Sequence, residues 1–224
     1  MTFSVVARCA DTGMFGVAVS SSSPAVAARC AYAQAGIGAV ASQNVTDPRL
    51  GPRALALMEI GCSAPEAINV IAATAPHPEY RQVLAVDTGG RAAVHSGEHA
   101  LGIFTSASGP DVACGGNLLD NADVPRRMVD AFQRSTGHLG GRLIAVMSAA
   151  LEAGGESGPV HSAGLKLVRE VEWPVADLRV DWTDGCPVTE LRALWAIYEP
   201  QLEDYVTRAL DPGAAPSYGV PGDN

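Results

Sequence analysis

Runs of apolar residues along the chain predict short strands that come in pairs. Residues 3–7 and 15–20 are rich in valine, alanine and phenylalanine, and the turn-forming residues 11–13 between them predict a β-hairpin. The same pattern predicts further strands over residues 36–44, 80–86, 91–95, 112–119, 161–168 and 178–182. The segment 97–110 fits either a short strand or an irregular loop, and residues 24–35 fit a loop or a short helix.

Apolar residues at helical spacing predict helices that also occur in consecutive pairs. The first helix runs to about Ile60, and the second begins with a capping pattern in which Ser63 is followed three residues later by Glu66. Further helices are predicted over residues 122–134, 139–153 and 187–210. Pro200 lacks a backbone N–H and should kink or split the last of these helices. Residues 211–224 show no apolar periodicity and are expected to form a disordered tail.

The order of these elements decides the expected fold class. Strands occur as hairpins, helices occur as consecutive pairs, and the repeated strand–helix–strand alternation of a doubly wound fold is missing. We therefore expect an α+β protein in which two antiparallel sheets are flanked by helix pairs, a four-layer α-β-β-α sandwich. The glycine-rich stretches match neither a dinucleotide fingerprint nor a phosphate-binding loop, so no cofactor is implied.

Composition suits one domain and excludes some classes of partner. The 224 residues fit a single domain, which we place at residues 1–210, and 47% hydrophobic residues are enough for a large core. The net charge of −9 argues against nucleic acid or an anionic membrane as a partner. No apolar run approaches the length of a membrane span and no signal peptide is visible. We therefore expect a cytoplasmic protein whose partner is a small-molecule substrate.

The cysteines and histidines are too scattered to predict a metal site. Five cysteines, an odd number without a Cys-x-x-Cys pair, predict reduced and mostly buried thiols. His95 and His99 have a spacing found in helical zinc sites, but they straddle Ser96 and Gly97, where a strand is expected to end. We therefore expect no metal.

Thr2 is the residue whose chemistry most directly suggests a catalytic function. A small second residue normally allows Met1 to be removed, which would leave Thr2 at the amino terminus of a buried strand. Its hydroxyl and free α-amine would then form a nucleophile and a base on one residue, since an α-amine titrates near neutral pH. The alternative is that Thr2 only begins an ordinary strand.

Motifs spread over nearly the whole chain carry a family resemblance. They lie at residues 1–8, 16–20, 36–43, 48–55, 115–119 and 177–182. In these motifs the chain resembles, from residue 1 to about residue 210, the bacterial domain of unknown function 1028. The resemblance implies membership of the N-terminal-nucleophile (Ntn) hydrolase superfamily. Its α-β-β-α members use the first residue of the mature chain, a Thr, Ser or Cys, to hydrolyse amide bonds.

By this resemblance Thr2 is the candidate nucleophile and its α-amine the base. The proteasome branch of the superfamily also uses a lysine on the third strand, but that strand has none here, and Lys166 is the only lysine in the chain. The resemblance therefore implies an acylase-like arrangement that relies on the amine, asparagine and backbone N–H groups. Asn117 with the backbone of Gly115 and Gly116 is the candidate oxyanion hole, and a β-bulge with a structural asparagine is the equal alternative.

Polar residues at the predicted strand ends are candidate substrate-binding groups. Ser20 to Ser23 close the second strand and could hold the amine or start a loop. Gln43 and Asn44 close the third strand and could face the same cleft or cap a sheet edge. Arg49 could bind a substrate carboxylate, or it could tie its proline-rich turn to an acidic neighbour.

The function expected from these residues is hydrolysis of a small amide or related C–N bond, with Thr2 as nucleophile and no cofactor. The alternative is a non-catalytic protein of the same fold that binds a small metabolite or serves as a scaffold. The last predicted helix carries Trp195, Tyr198 and Tyr205. These side chains could form a homodimer or higher homo-oligomer interface as readily as part of the core.

Overall fold

The computed structural model of the protein describes residues 2–220. Its strands, in chain order, are β1 (Thr2–Arg8), β2 (Phe15–Ser21), β3 (Ala31–Gln34), β4 (Gly38–Asn44), β5 (Arg81–Asp87), β6 (Ala92–Ser96), β7 (Thr105–Gly109), β8 (Val112–Asn117), β9 (Ser162–Val168) and β10 (Ala176–Val180). Its α-helices are α1 (Ala27–Cys30), α2 (Leu50–Glu59), α3 (Ala64–Thr74), α4 (Val124–Arg134), α5 (Leu139–Glu152), α6 (Pro187–Tyr198) and α7 (Leu202–Leu210). Short 3-10 helices at Pro78–Tyr80 and Glu199–Gln201 precede β5 and α7.

The strands form two sheets in which neighbouring strands are antiparallel. The first sheet has six strands in the order β10-β9-β2-β1-β8-β7, which puts β1 between β2 and β8. The second sheet has four strands in the order β3-β4-β5-β6. The described residues therefore form a mixed α+β fold with two antiparallel sheets, as the order of the elements predicted.

Three groups of buried apolar residues show how the sheets and helices pack. One group lies between the two sheets and includes Val17 and Val19 from the first sheet and Leu84 and Val86 from the second. Another joins the opposite face of the first sheet to α4, α5 and α6, and a third joins the second sheet to α2 and α3. Both faces of β2 are therefore buried, which explains its continuous run of small and apolar residues.

Alternation along β1 decides which way Thr2 points. Phe3, Val5 and Ala7 belong to the core beneath the helices, whereas Val6 belongs to the core between the sheets. Because successive side chains of a strand point to opposite faces, Thr2 shares the face of Val6. Thr2 therefore begins its strand with its side chain directed between the two sheets.

Most of the predicted elements are confirmed, and the exceptions have local causes. The capping pattern that begins α3 is formed, with Ser63 Oγ accepting from the backbone of Glu66 and the Glu66 carboxylate accepting from the backbone of Ser63. Pro200 lies in the 3-10 turn that separates α6 from α7. The alanine-rich segment 24–35 divides into α1 and the edge strand β3, which sequence alone did not separate. The ambiguous segment 97–110 contains β7 after an irregular stretch.

The residues after α7 form no helix or strand as far as residue 220. Arg208 nevertheless lies over the ring of Tyr218, with its guanidinium carbon 3.8 Å from the ring centre. The end of the predicted tail, residues 221–224, and the predicted removal of Met1 both concern positions outside the described residues. The domain boundary at residue 210 stays a prediction.

Within residues 2–220, none of the helices has the length and apolar character that a membrane span requires.

The cysteines pack as the sequence predicted. Cys9, Cys30 and Cys114 are buried, and all five thiols are free in the part of the chain that the structure describes. Burial raises the pKa of Cys30 and, more strongly, the pKa of Cys114. A thiol whose pKa is raised is a poor nucleophile, so Cys114 serves packing.

Candidate active site

Thr2 lies at the start of an interior strand and has a polar neighbour on each adjoining strand. It is paired in register with Asn117 of β8, and its hydroxyl donates a hydrogen bond to Ser21 Oγ of β2 over 3.4 Å. All three side chains point between the sheets, since Val19 of β2 and Ala113 of β8 lie on the same faces and belong to the inter-sheet core. Thr2 is 5% exposed, and its two neighbours are completely buried.

A short chain of hydroxyl groups leads from Thr2 to an arginine. Ser21 Oγ and Ser23 Oγ are 2.8 Å apart, and Ser23 also donates its backbone N–H to Ser21 Oγ. Arg29 donates from Nη2 to Ser23 Oγ over 2.6 Å and from Nη1 to two backbone carbonyls of the turn after β2. These contacts fix the turn and hold the Ser21 hydroxyl against that of Thr2.

Three amide side chains, Gln43, Gln82 and Asn117, form an amide cluster that links the two sheets beside Thr2. Gln82 Oε1 accepts hydrogen bonds from Gln43 Nε2 over 2.7 Å and from Asn117 Nδ2 over 3.5 Å. Gln82 Nε2 donates to Ser96 Oγ and to the backbone oxygen of Gly116. Because Gln43 and Gln82 belong to the second sheet and Asn117 to the first, these contacts join the layers where β1 begins.

Part of the hydrogen-bonding capacity around Thr2 is unused by the protein. Gln43 Oε1, Asn117 Oδ1 and Ser4 Oγ are buried and have no hydrogen-bond partner among the described residues. An unpaired buried polar atom costs about 1–3 kcal/mol, so such atoms are uncommon and often indicate where water or a ligand binds. Ser4 and Asn117 lie on the same sheet face as Thr2, so these unused groups surround its side chain.

The segment 97–104 covers the end of the molecule at which these groups meet. Leu118, which follows Asn117, donates its backbone N–H to the carbonyl of Leu101 over 2.9 Å. Leu101 in turn donates its own N–H to Asn44 Oδ1 over 3.2 Å. The segment therefore spans from the end of β8 in the first sheet to the end of β4 in the second.

Three predicted site residues make structural contacts instead of meeting Thr2. Ser20 points to the helix-covered face and donates to the carbonyl of Ser162 over 3.0 Å. Asn44 has a φ of +74° and uses its side-chain amide to hold two loop segments, which favours the capping alternative. Arg49 forms a two-point ion pair with Asp47 over 2.9 and 2.8 Å. The Arg49 hydrogen bonds lower the pKa of Asp47 to about 2, so the turn-tying alternative is favoured for Arg49.

The predicted backbone donors Gly115 and Gly116 belong to an interior strand. Their backbone N–H groups point toward β1 and β7, which pair with β8 on its two sides. The register between β8 and β1 is unbroken, so no bulge interrupts it. A Cβ at Gly115 would lie 3.3 Å from Leu84 of the second sheet, which shows that glycine permits the close approach of the sheets. Of the three predicted oxyanion-hole residues, only Asn117 offers a side-chain amide at the site.

Glu156 is a buried carboxylate near this site that the sequence did not single out. It follows α5, forms an isolated bridge with Leu119 and is 5% exposed. Its Oε2 accepts a hydrogen bond from the N–H of Ser22 over 3.3 Å, whereas its Oε1 has no hydrogen-bond partner among the described residues. Burial raises the pKa of Glu156 to about 7, against the opposing effects of the positively charged amino terminus and of the Ser22 hydrogen bond.

This raised pKa predicts that the protein loses stability as the pH rises from about 5 to 8. A carboxyl group that titrates near 4.5 when unfolded and near 7 when folded gives the folded state the greater proton affinity. Its stabilising contribution is therefore complete at low pH and is lost as the pH rises through about 7. We expect the free energy of unfolding to fall by about 2 kcal/mol over this range because of Glu156.

Urea unfolding at the two pH values measures this change. Glu156→Gln should remove that part of the pH dependence, whereas Glu152→Gln, at an exposed position on the same segment, should keep it. An unaltered pH dependence in Glu156→Gln would contradict the prediction.

A family comparison covers most of the chain. A family model described as "Family of unknown function (DUF1028)" matches residues 2–191. The chain belongs to the DUF1028 family. A crystal structure of a DUF1028 protein from Silicibacter pomeroyi is similar to this chain at 27% identity, with a TM-score of 0.82 and coverage of 88% of each chain. The family resemblance that the sequence motifs indicated is thus confirmed.

Other comparisons add no function to this DUF1028 chain. No curated protein matches it. Anbu (ancestral beta-subunit) from Yersinia bercovieri is similar at 10% identity and a TM-score of 0.36, covering 92% of this chain and 97% of its own. A similarity at that level carries no argument about fold or activity. The function of this DUF1028 protein therefore has to be argued from its own residues.

Two residues at the site of this DUF1028 protein, Gln82 and Glu156, were missed as site residues from sequence. Ser21 was predicted only as one of the run Ser20 to Ser23, although its spacing from Val19 places it on the inter-sheet face of β2. Gln82 alternates with Leu84 in the same way, but only the register of β4 against β5 brings it to Gln43. Glu156 lies in a glycine-rich stretch after a helix, where no local signal points to the start of β1.

Proposed function

We propose that this DUF1028 protein is an Ntn-type hydrolase that cleaves a small amide or related C–N bond, with Thr2 as nucleophile after removal of Met1. The proposal includes a four-layer α-β-β-α description of the fold. The separate core groups support that description, because one lies between the sheets and one lies on the helix-covered face of each sheet. Membership of the DUF1028 family supports it through the resemblance of that family to Ntn hydrolases.

The observation that carries the proposal is the placement of Thr2. It is the first residue of an interior strand, its hydroxyl contacts Ser21, and its register partner is Asn117. A threonine that merely began a strand would not require polar side chains beside it on both neighbouring strands, between two sheets. Cleavage before Thr2 would add an α-amine to the same residue, where it can accept the hydroxyl proton directly or through a water.

The reaction would proceed through an acyl-enzyme ester. The Thr2 hydroxyl gives its proton to the α-amine while its oxygen forms a bond to the substrate carbonyl carbon. The C–N bond then breaks, and the departing nitrogen takes the proton from the α-ammonium group. Water attacks the ester, again giving a proton to the α-amine, and that proton returns to Thr2 Oγ as the acid leaves. The sum converts an amide and water into an acid and an amine without a cofactor.

Asn117 is the group best placed to stabilise the charge that develops on the carbonyl oxygen. Its Nδ2 uses one hydrogen in the amide cluster, which leaves the second N–H as a donor. Lys166 instead forms a salt bridge with Asp177 over 3.2 Å and lies opposite Val17, well short of the end of β2 that meets Thr2. Lys166 is therefore too far along the strand to act as the base, and the proposal assigns that role to the α-amine of Thr2.

The enclosure of Thr2 favours a small substrate over a protein chain. Only 5% of Thr2 is exposed, and the segment 97–104 joins the ends of the two sheets beside it. The groups that a substrate would meet there are hydroxyls and side-chain amides, which suit a small polar molecule.

The first test of the proposal is the state of the amino terminus and its hydroxyl. Protein purified from the organism that makes it is expected to begin at Thr2, with an intact mass lower by one methionine residue. A β-lactone, which acylates nucleophilic hydroxyls, is expected to add once, on the peptide that begins with Thr2. In a sample that is only partly processed, tandem mass spectrometry should find the adduct only on chains that have lost Met1.

Two outcomes of that test would overturn the proposal. The first is a native protein that retains Met1, and the second is labelling that does not depend on Met1 removal. Either would favour the non-catalytic alternative, a small-metabolite-binding or scaffold protein of the same fold.

A further inference from the structure

Strand β1 begins between the ends of two neighbouring strands, β2 and β8. β1 lies between β2 and β8, and its first residue meets Ser21 on one side and Asn117 on the other. The residues that follow these two neighbours are Ser22 and Leu118.

Glu156 and the residue after it contact the ends of both strands. Its Oε2 accepts the N–H of Ser22 over 3.3 Å. The next residue, Ser157, donates its N–H to the carbonyl of Leu118 over 3.0 Å. The segment that carries Glu156 is therefore held against the ends of β2 and β8, the two strands that flank Thr2.

The buried carboxylate of Glu156 has no cationic side chain as a partner. Among residues 2–220, no arginine, lysine or histidine forms a salt bridge with it. The charged or titratable groups on the elements around it are engaged elsewhere. Arg29 binds Ser23, His161 Nδ1 donates to the backbone carbonyl of Thr183, and Asp120 contacts the adjacent Asn121 side chain. Buried carboxylates are normally paired, and Glu156 Oε1 has no hydrogen-bond partner among the described residues.

We propose that Glu156 is a positioning residue that binds the α-ammonium group of processed Thr2 through its unpaired Oε1. The inference rests on the proposed function, since that group exists only after the chain is cut before Thr2. The carboxylate stabilises the ammonium form that appears when the Thr2 hydroxyl gives up its proton, and it fixes the amine beside that hydroxyl. Burial alone would disfavour the ammonium form, and the carboxylate offsets this effect.

The test measures the pKa of the Thr2 amine and needs no substrate. A chain that begins at Thr2 is made by proteolytic removal of an amino-terminal fusion partner, so it does not depend on natural processing. With ¹³C-labelled threonine, the Thr2 Cα shift is followed by NMR from about pH 5 to pH 10. The amine pKa is expected to be at or above the 7.7–8.0 of an unperturbed α-amine. Glu156→Gln should lower this pKa by at least about one unit, a tenfold change in proton affinity, and the control Glu152→Gln should leave it unchanged.

Equal amine pKa values in the unchanged chain and in Glu156→Gln would overturn the inference. If Glu156→Gln fails to fold, the carboxyl carbon of Glu156 is followed in the unchanged chain instead. The pKa of that carboxyl should be lower in the chain that begins at Thr2 than in the chain that keeps Met1, and equal values would overturn the inference.

The two proposals fail in different ways. Amine–carboxylate coupling without amide hydrolysis would refute the proposed function and leave the inference standing. Hydrolysis that requires Thr2, without an effect of Glu156 on the pKa of the Thr2 amine, would support the proposed function and refute the inference about Glu156.

Discussion

Replacing Thr2 with alanine in the processed chain is expected to reduce kcat/KM for amide hydrolysis by at least about 1,000-fold. Alanine keeps the α-amine and the small second residue that permits removal of Met1, but it has no oxygen that can form the acyl-enzyme ester. The substitution removes only a methyl group and a hydroxyl group at the first residue of a strand, so the fold should persist. Initial rates on a panel of small amides measure the effect, with the amino terminus of each variant confirmed by mass.

Two further variants test whether the loss of rate in Thr2→Ala is caused by the missing hydroxyl. Thr2→Ser keeps the nucleophilic oxygen and the α-amine, and it should retain hydrolysis within about 100-fold of the unchanged chain. Ser106→Ala removes an exposed hydroxyl on β7 and should leave the rate unchanged. Hydrolysis by Thr2→Ala at the rate of the unchanged chain would move the chemistry to another residue.

Much of the fold could be predicted because the sequence patterns that begin and end its helices and strands involve only neighbouring residues. The capping pattern at Ser63 and the helix break at Pro200 depend on a few neighbouring residues, and both are found where the sequence indicated. The edge strand β3 was missed because its alanine-rich sequence has no strong strand preference. It is a strand because its backbone pairs with β4, a contact that local sequence does not encode.

The sequence could predict site residues only where the alternation of side chains along one strand shows which face of the sheet they occupy. Thr2 begins β1 and Asn117 ends β8, and both were named as candidates from sequence, but only the register of β1 against β8 makes them neighbours. Ser20 was placed on the site although it lies one residue out of phase with Ser21, so its side chain points to the other face. Glu156 reaches the site by a contact with Ser22 between distant parts of the chain, and no sequence pattern marks such a contact.

Gln82→Met is expected to lower the free energy of unfolding by about 3–5 kcal/mol. Gln82 Oε1 accepts N–H groups from Gln43 and Asn117, and a methionine of similar volume cannot replace that acceptor. The Gln43 amide would then lack any partner, because its Oε1 is already unpaired. Both amides are fully buried, so they cannot turn to solvent, and each unsatisfied group costs about 1–3 kcal/mol.

Thermal unfolding measures this effect against Gln34→Met as a matched control. Gln34 is also a strand glutamine, but its amide binds Glu59 at the surface, so its loss should change stability by no more than about 0.5 kcal/mol. For a chain of this size, the loss expected in Gln82→Met corresponds to a Tm lower by about 10 °C. Equal Tm values in the two variants would show that ordered water can satisfy Gln43 and Asn117. The amide cluster would then not be what holds the two sheets together beside Thr2.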